Sequence, residues 1–368
     1  MELRNFINGQ FIDSISKKNI DVINPANQEL VGKINQGLED EIHLAYQAAR
    51  KAFQKRILID IDPKEKSKIM RAIASKLREY KHEGGKLLSK ENGKTITQCE
   101  GEFIGAADTF DYYAGMTDKI ENKLIPSGSD TFNYVVLEPF GVTLQIVPWN
   151  YPVSIFASMV AQNLIVGNTI IIKPPELCPI SSNLYGRIFQ EVGLPDGVVN
   201  IIHGYGEITG RKLVQNKECD YIVFTGSPEV ASEILKETAD RIIPCHFELG
   251  GKSAAIIYPD ADIDKAVDST IKGIFKPNAG QICVAMSRVI IHPKVKDEYM
   301  TKLVSKTKEL KIGAGDNSST EVTPLISKEQ IKRVSNYVKS GVQSGATLTL
   351  GGEELEIGKG NYYLPTIF

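Results

Sequence analysis

Residues 141–172, GVTLQIVPWNYPVSIFASMVAQNLIVGNTIII, run for 32 positions without an Asp, Glu, Lys or Arg. That is enough apolar chain to span a bilayer. The interior of the stretch argues otherwise: Pro148, Asn150 and Pro152 break its first third, and Asn163, Gly167 and Asn168 break its end. Only 153–166 is left as a helix, too short to cross. A buried strand, a turn, a buried helix and a second buried strand account for the same composition, and strands apolar on both faces belong to a parallel sheet.

The same texture continues downstream. Short apolar runs at 142–147, 169–172, 198–202, 221–224 and 242–247 alternate with helical patterns near 153–166, 180–192, 206–215 and 228–238. This predicts an α/β domain whose sheet is covered on both faces. A second α/β run follows at 253–257, 262–275, 289–291, 295–310 and 327–345, with the boundary near Gly250-Gly251. Upstream, a β-rich start at 6–22 precedes a helix over 39–55, where Ile42, Ala45, Tyr46, Ala49 and Phe53 share a face. Asp62 caps a second helix with Pro63 at its first position and Ile69, Ile73, Leu77 and Tyr80 as its stripe, and a third lies near 97–116. Alternation at Phe132, Tyr134 and Val136 around the Pro126-Ser127-Gly128 turn predicts a β-hairpin over 119–138. Residues 363–368 read as an extended apolar segment, so the second α/β unit is expected to be incomplete, with an unpaired sheet edge.

Composition narrows the function classes. The 368 residues carry a formal net charge of −2, with no basic run or aromatic-interleaved Lys/Arg stripe, so no nucleic-acid or membrane partner is expected. The five cysteines, at 99, 178, 219, 245 and 283, have neither CxxC spacing nor a His at zinc-ligand spacing. No metal site is expected, and the usage fits a reducing cytoplasm. The first ten residues lack the pattern of a signal peptide.

Four local features bear on chemistry. The turn Pro148-Trp149-Asn150-Tyr151-Pro152 follows a buried strand, at the carboxyl end where open α/β sheets build ligand sites. Asn150 there either donates its amide to an oxyanion or satisfies its own turn. Lys173-Pro174-Pro175-Glu176 also follows a strand; it is either a cation and carboxylate facing the hydroxyls of a ribose or a solvated ion pair. Phe224-Thr225-Gly226-Ser227 opens a helix after a strand, which suits a phosphate at the helix N-terminus but equally suits packing alone. Finally, Glu248-Leu249-Gly250-Gly251-Lys252 lies at the domain junction, and Cys283 ends the run Asn278-Ala279-Gly280-Gln281-Ile282-Cys283. Four cysteines read as small buried hydrophobes. Cys283 instead follows a flexible turn into an expected helix start, whose dipole would stabilise a thiolate.

Taken together and in order, these features resemble the NAD(P)-dependent aldehyde dehydrogenase superfamily. The matching motifs are PWNYP at 148–152, KPPE at 173–176, FTGS at 224–227, ELGGK at 248–252 and NAGQIC at 278–283, and 35 residues separate Glu248 from Cys283. The resemblance covers essentially the whole chain. It implies a Rossmann-like NAD-binding domain over 1–118 and 140–249, a β-hairpin oligomerisation arm over 119–139, and a catalytic domain over 250–368, truncated relative to the family. Pro175 and Ala231 depart from the family pattern, which usually has a small polar residue and a glycine there.

The resemblance further implies Cys283 as nucleophile, Glu248 as general base for deacylation, and Asn150 with the Cys283 backbone N–H as oxyanion hole. Lys173 and Glu176 would hold the adenine-side ribose of NAD, with NADP disfavoured. Trp149, Gly206, Phe224, Thr225, Gly226, Ser227, Val230 and Leu249 would lie along the cofactor. The expected reaction is oxidation of a small-molecule aldehyde to its acid through a thiohemiacetal and thioester, in a homo-oligomer (dimer or tetramer) if the C-terminal strand is present. An alternative of a different class is a truncated, catalytically impaired dinucleotide-binding or interaction protein. Glu248 argues against CoA as acyl acceptor, and the absence of a His in the nucleophile's local motif argues against a simple thiol hydrolase. Tyr151, Ile282 and Val284 make the expected pocket apolar.

Overall fold

The computed structural model describes residues 2–368. Five short strands come first, β1 (Glu2–Leu3), β2 (Asn5–Ile7), β3 (Gln10–Ile12), β4 (Asn19–Ile23) and β5 (Leu30–Asn35), then three helices, α1 (Glu39–Gln54), α2 (Pro63–Asn92) and α3 (Ile96–Ala114). The hairpin strands β6 (Lys123–Ile125) and β7 (Asn133–Val135) lead into β8 (Val142–Ile146), α4 (Pro152–Val166), β9 (Thr169–Lys173), α5 (Ile180–Glu191) and β10 (Val199–Ile201). A π-helical turn at Gly206–Gly210 runs into α6 (Arg211–Gln215), followed by β11 (Tyr221–Gly226), α7 (Pro228–Thr238) and β12 (Cys245–Leu249). The remainder holds β13 (Ala254–Ile257), α8 (Ile263–Ile274), β14 (Arg288–Ile291), α9 (Pro293–Lys308), α10 (Lys328–Gln343), β15 (Glu354–Leu355) and β16 (Tyr362–Tyr363).

The main sheet has seven strands in the order β12-β11-β8-β9-β10-β2-β3. β11, β8, β9 and β10 run parallel, as the apolar runs predict, while β2 and β3 add an antiparallel edge. All five residues of β9 are buried, which requires cover on both faces of the sheet. The chain steps from β8 outward to β9 and β10, then returns to place β11 on the other flank of β8. That reversal makes the carboxyl ends of β8 and β11 the switch point where an open α/β sheet leaves a crevice. The charge-free stretch is therefore β8, turn, α4 and β9. No helix among the described residues is long and apolar enough to cross a membrane.

By backbone contacts the chain divides into two units, one of Met1–Ile20, Lys33–His82 and Gly101–Glu248, the other of Asp21–Gly32, Glu83–Glu100 and Leu249–Phe368. The segments 21–32 and 83–100, expected in the first domain, group with the second unit. Helical periodicity shows which face of a segment is buried, not what it packs against. In the second unit β13 and β14 form a parallel pair, and Ile257, Val267, Ile271, Tyr299 and Leu303 form a core beneath α8 and α9.

Three local expectations are corrected. The apolar run 242–247 is not all strand: Ile242 takes a left-handed φ of 54° after a 3₁₀ turn, and β12 starts only at Cys245, past Pro244. The helix near 206–215 is split into the π-helical turn and α6. On α2 the fully buried stripe is Met70, Ile73, Ala74 and Leu77, so Met70 replaces Ile69.

Candidate active site

The turn that carries Asn150 is held from three sides. Its carboxamide Oδ1 accepts the Tyr151 N–H at 3.0 Å, which presents the Nδ2 end as the donor. The Cys178 thiol donates to the Trp149 carbonyl at 3.2 Å, and the buried Tyr185 hydroxyl donates to the Val153 carbonyl at 2.8 Å. Tyr185 itself is fixed by stacking on Phe156, with ring centroids 4.1 Å apart. The helix that follows, α4, begins at Pro152 and has Tyr151 at its N-cap, with no side-chain capping bond from it. The orphan N–H groups of Val153 and Ser154 are taken instead by the buried Glu102 carboxylate of α3, at 2.8 and 3.0 Å.

At the carboxyl end of β9 the Lys173 side chain is almost fully buried, and its Nζ donates to Glu176 Oε2 at 3.0 Å and to the Pro174 carbonyl at 3.1 Å. This is no solvated surface pair. Burial by itself would raise the Glu176 carboxyl; the Lys173 charge, its hydrogen bond and backbone N–H donors that include Gly206 outweigh it and hold the group below the usual carboxylate range. Behind Lys173 lies His203, buried, with its Nε2 2.8 Å from Asn183 Nδ2. Burial, aided by the Lys173 charge, lowers its imidazole to about 3, so it stays neutral. The His203 N–H donates to Asn5 Oδ1, and its carbonyl accepts from Gly37. These bonds pin the loop that delivers Gly206.

The Phe224–Ser227 junction sits at the switch point. Ser227 caps α7 by accepting the Val230 N–H at 3.3 Å, and Val230 is exposed. Phe224 is buried, and its ring lies under Gly226 so closely that a Cβ there would collide with it. Glycine at 226 is thus required by packing, whatever else the junction does.

Glu248 and Cys283 belong to different units. On β12, Glu248 Oε1 lies 3.1 Å from His246 Nε2, both side chains being exposed. In the second unit, Cys283 is the only exposed cysteine of the five; Cys99, Cys178 and Cys219 are buried and Cys245 half-buried. Leu249, at the end of β12, is half-buried. A Cβ on Gly251 would stand 3.0 Å from the Cys283 carbonyl, so a side chain there would fit only if the backbone gave way by a few tenths of an ångström.

No helix starts at Cys283, contrary to the sequence expectation. Asn278, Ala279 and Gly280 all have positive φ, and the bonds that follow are short turns such as Ala285 N–H to the Ile282 carbonyl. The next regular element is the strand β14. A helix dipole therefore does not act on this thiol. What fixes the loop is side-chain bonding: Gln98 of α3 donates to the Lys276 carbonyl at 2.9 Å and accepts the Asn278 N–H, while Gln281 accepts the Ile326 N–H at 3.1 Å. Two non-glycine residues kept in the left-handed region are a strain typical of functional loops.

Residues 11–368 match the family model described as the aldehyde dehydrogenase family. The chain belongs to that family. It is 36% identical over 367 residues to a betaine aldehyde dehydrogenase of Bacillus subtilis (strain 168), covering 99% of this chain and 75% of that protein. It is likewise 36% identical to a mitochondrial benzaldehyde dehydrogenase of Antirrhinum majus, covering 98% of this chain and 68% of that one. Among solved structures, the NAD+ complex of an aldehyde dehydrogenase from Bacillus cereus superposes with a TM-score of 0.96 at 35% identity, covering 100% of this chain and 74% of that chain. The resemblance carried by the five motifs, and the α/β fold it implied, are borne out.

For this aldehyde dehydrogenase the sequence reading missed the supporting residues. Glu102, Gln98, His203 and His246 lie outside the quoted motifs or between them. His246 had a usable signal, since residues two apart on a strand share a face. Glu102 and Gln98 had none, because their partners are about fifty and about one hundred eighty residues away.

Proposed function

We propose that the chain oxidises an aldehyde to its carboxylic acid, with NAD as hydride acceptor, through a thiohemiacetal and a thioester on Cys283. The observation that carries the assignment of the nucleophile is exposure: Cys283 alone among the five cysteines is fully exposed, on a loop whose backbone is pinned. Membership of the family supplies the reaction class.

The residues present suit NAD on the adenine side. A vicinal diol needs an acceptor for two hydroxyls, and Glu176 is a carboxylate held ionised beside a buried ammonium. Space is open where a Cβ of Gly206 would be, so none of the described residues crowds that position. Trp149, Thr225, Gly226, Ser227, Val230 and Leu249 are the further residues assigned to the cofactor; Phe224, being buried, supports Gly226 from beneath. An ionised Glu176 also disfavours a 2′-phosphate, which favours NAD over NADP.

The Cys283 thiolate adds to the aldehyde carbon, and the carbonyl oxygen becomes an oxyanion for which Asn150 Nδ2 and the Cys283 N–H are the assigned donors. When bound, NAD supplies the hydride acceptor that oxidises this adduct to the thioester. Glu248 then takes a proton from water, the resulting hydroxide attacks the acyl carbon, and the acid leaves as the thiolate is regenerated. Replacing Cys283 by Ala should abolish aldehyde-dependent NADH formation while NAD still binds, and iodoacetamide should label Cys283 before the other four. Retained turnover in that variant would remove Cys283 from the mechanism.

The chain is also proposed to be a homo-oligomer, through the arm at 119–139. Leu124, Phe132, Tyr134, Val136 and Leu137 are exposed on or beside the two-stranded β6–β7 hairpin, and such a hairpin is marginal in water without a partner. Sedimentation velocity checks this, and a monomer would refute it. Five free cysteines suit a reducing compartment such as the cytoplasm, which fractionation of cells checks.

A further inference from the structure

Helix α4 starts with an unusual division of labour. Tyr151 stands at the N-cap but makes no side-chain capping bond, and Pro152 at the first helical position has no N–H to offer. The two donors that a capping side chain normally takes, those of Val153 and Ser154, both go to one oxygen of Glu102, a residue about fifty positions earlier on α3. The Ser154 hydroxyl closes the contact by donating to the Glu102 carbonyl at 3.3 Å. Glu102 is only 4% exposed, so its carboxylate meets these donors with little access to water.

This cap lies three residues from Asn150. The first intrahelical bond, from Ile155 N–H to the Tyr151 carbonyl at 3.0 Å, ties the turn to the capped helix. Asn150 is thereby suspended between β8 and a helix start whose position is set from α3. We propose that Glu102 is a positioning residue for the oxidation: by capping α4 it fixes the turn that aims the Asn150 amide at the oxyanion. This rests on the reading of Asn150 as an oxyanion donor. It assigns no contact between Glu102 and substrate or cofactor.

Losing alignment of a catalytic donor by as little as an ångström costs up to about a hundredfold in rate. In the full chain, Glu102→Ala should therefore slow the pre-steady-state burst of NADH by at least about tenfold with NAD affinity unchanged. Glu102→Gln, which keeps an acceptor oxygen in place, should restore most of the burst. Glu102→Met, which keeps the volume and removes the acceptor, replaces the Ala variant should that one fail to fold.

The deciding measurement is a double-mutant cycle. In an Asn150→Ala background the Glu102 substitution should cost little further, because the group it positions is gone. An equal loss in both backgrounds would overturn the proposal and leave Glu102 a purely structural cap, with the reading of Asn150 intact. An unchanged burst in Asn150→Ala alone would instead remove the oxyanion reading, and the proposal with it.

Discussion

His203 provides a test of the fold's electrostatics in which the sign and size both follow from burial. Its imidazole is enclosed beside Lys173 and is lowered by that burial from 6.5 to about 3. A histidine with a depressed folded value is neutral in the native state, while the unfolded chain takes up the proton once the pH drops below 6.5. The stabilisation is therefore complete above about pH 6.5 and is lost as the pH falls from there toward about 3. Between pH 6.5 and about pH 5 the loss is about 1.5 units at about 1.36 kcal/mol each, or about 2 kcal/mol. His203→Gln keeps an acceptor within reach of Asn183 Nδ2 but does not titrate. Urea unfolding of both proteins at about pH 7 and about pH 5 should show the wild type losing about 2 kcal/mol more than the variant. Parallel pH dependences would refute the reasoning, since they would mean that His203 is protonated or solvated in the folded chain.

Two further outcomes concern the site. Glu248→Gln should slow thioester hydrolysis more than hydride transfer, giving a burst of NADH followed by a slow steady state; an unchanged steady-state rate would remove Glu248 from deacylation. Glu176→Gln removes the charge that disfavours a 2′-phosphate, so the ratio of kcat/KM for NAD over NADP should fall. A ratio that does not move would mean Glu176 does not face the ribose.

The long helices and the buried strands were legible because each repeats a local period. The stripe of α1, the alternating apolar residues of β8 and the Ile170–Ile172 run of β9 need no knowledge of partners to be recognised. Errors fell where local pattern and chain geometry diverge. The apolar run at 242–247 suggests one strand, but the left-handed Ile242 and Pro244 delay β12 to Cys245. At Cys283 the spacing suggested a helix start, while three successive residues with positive φ direct the chain into a turn instead.

By itself the sequence determined the family: the five motifs are short, contiguous and ordered, so the resemblance they carry survives without coordinates. It also determined the alternation of strand and helix that makes the sheet parallel at its centre. Only the tertiary structure decided what surrounds those residues. The order that sets β11 beside β8, the Glu102 cap on α4, the burial of Lys173 beneath a half-buried Glu176, and the neutral state of His203 all depend on groups far apart in the chain. Hydrogen-bond pairing and desolvation act through space, between groups whose separation in sequence leaves no periodic trace.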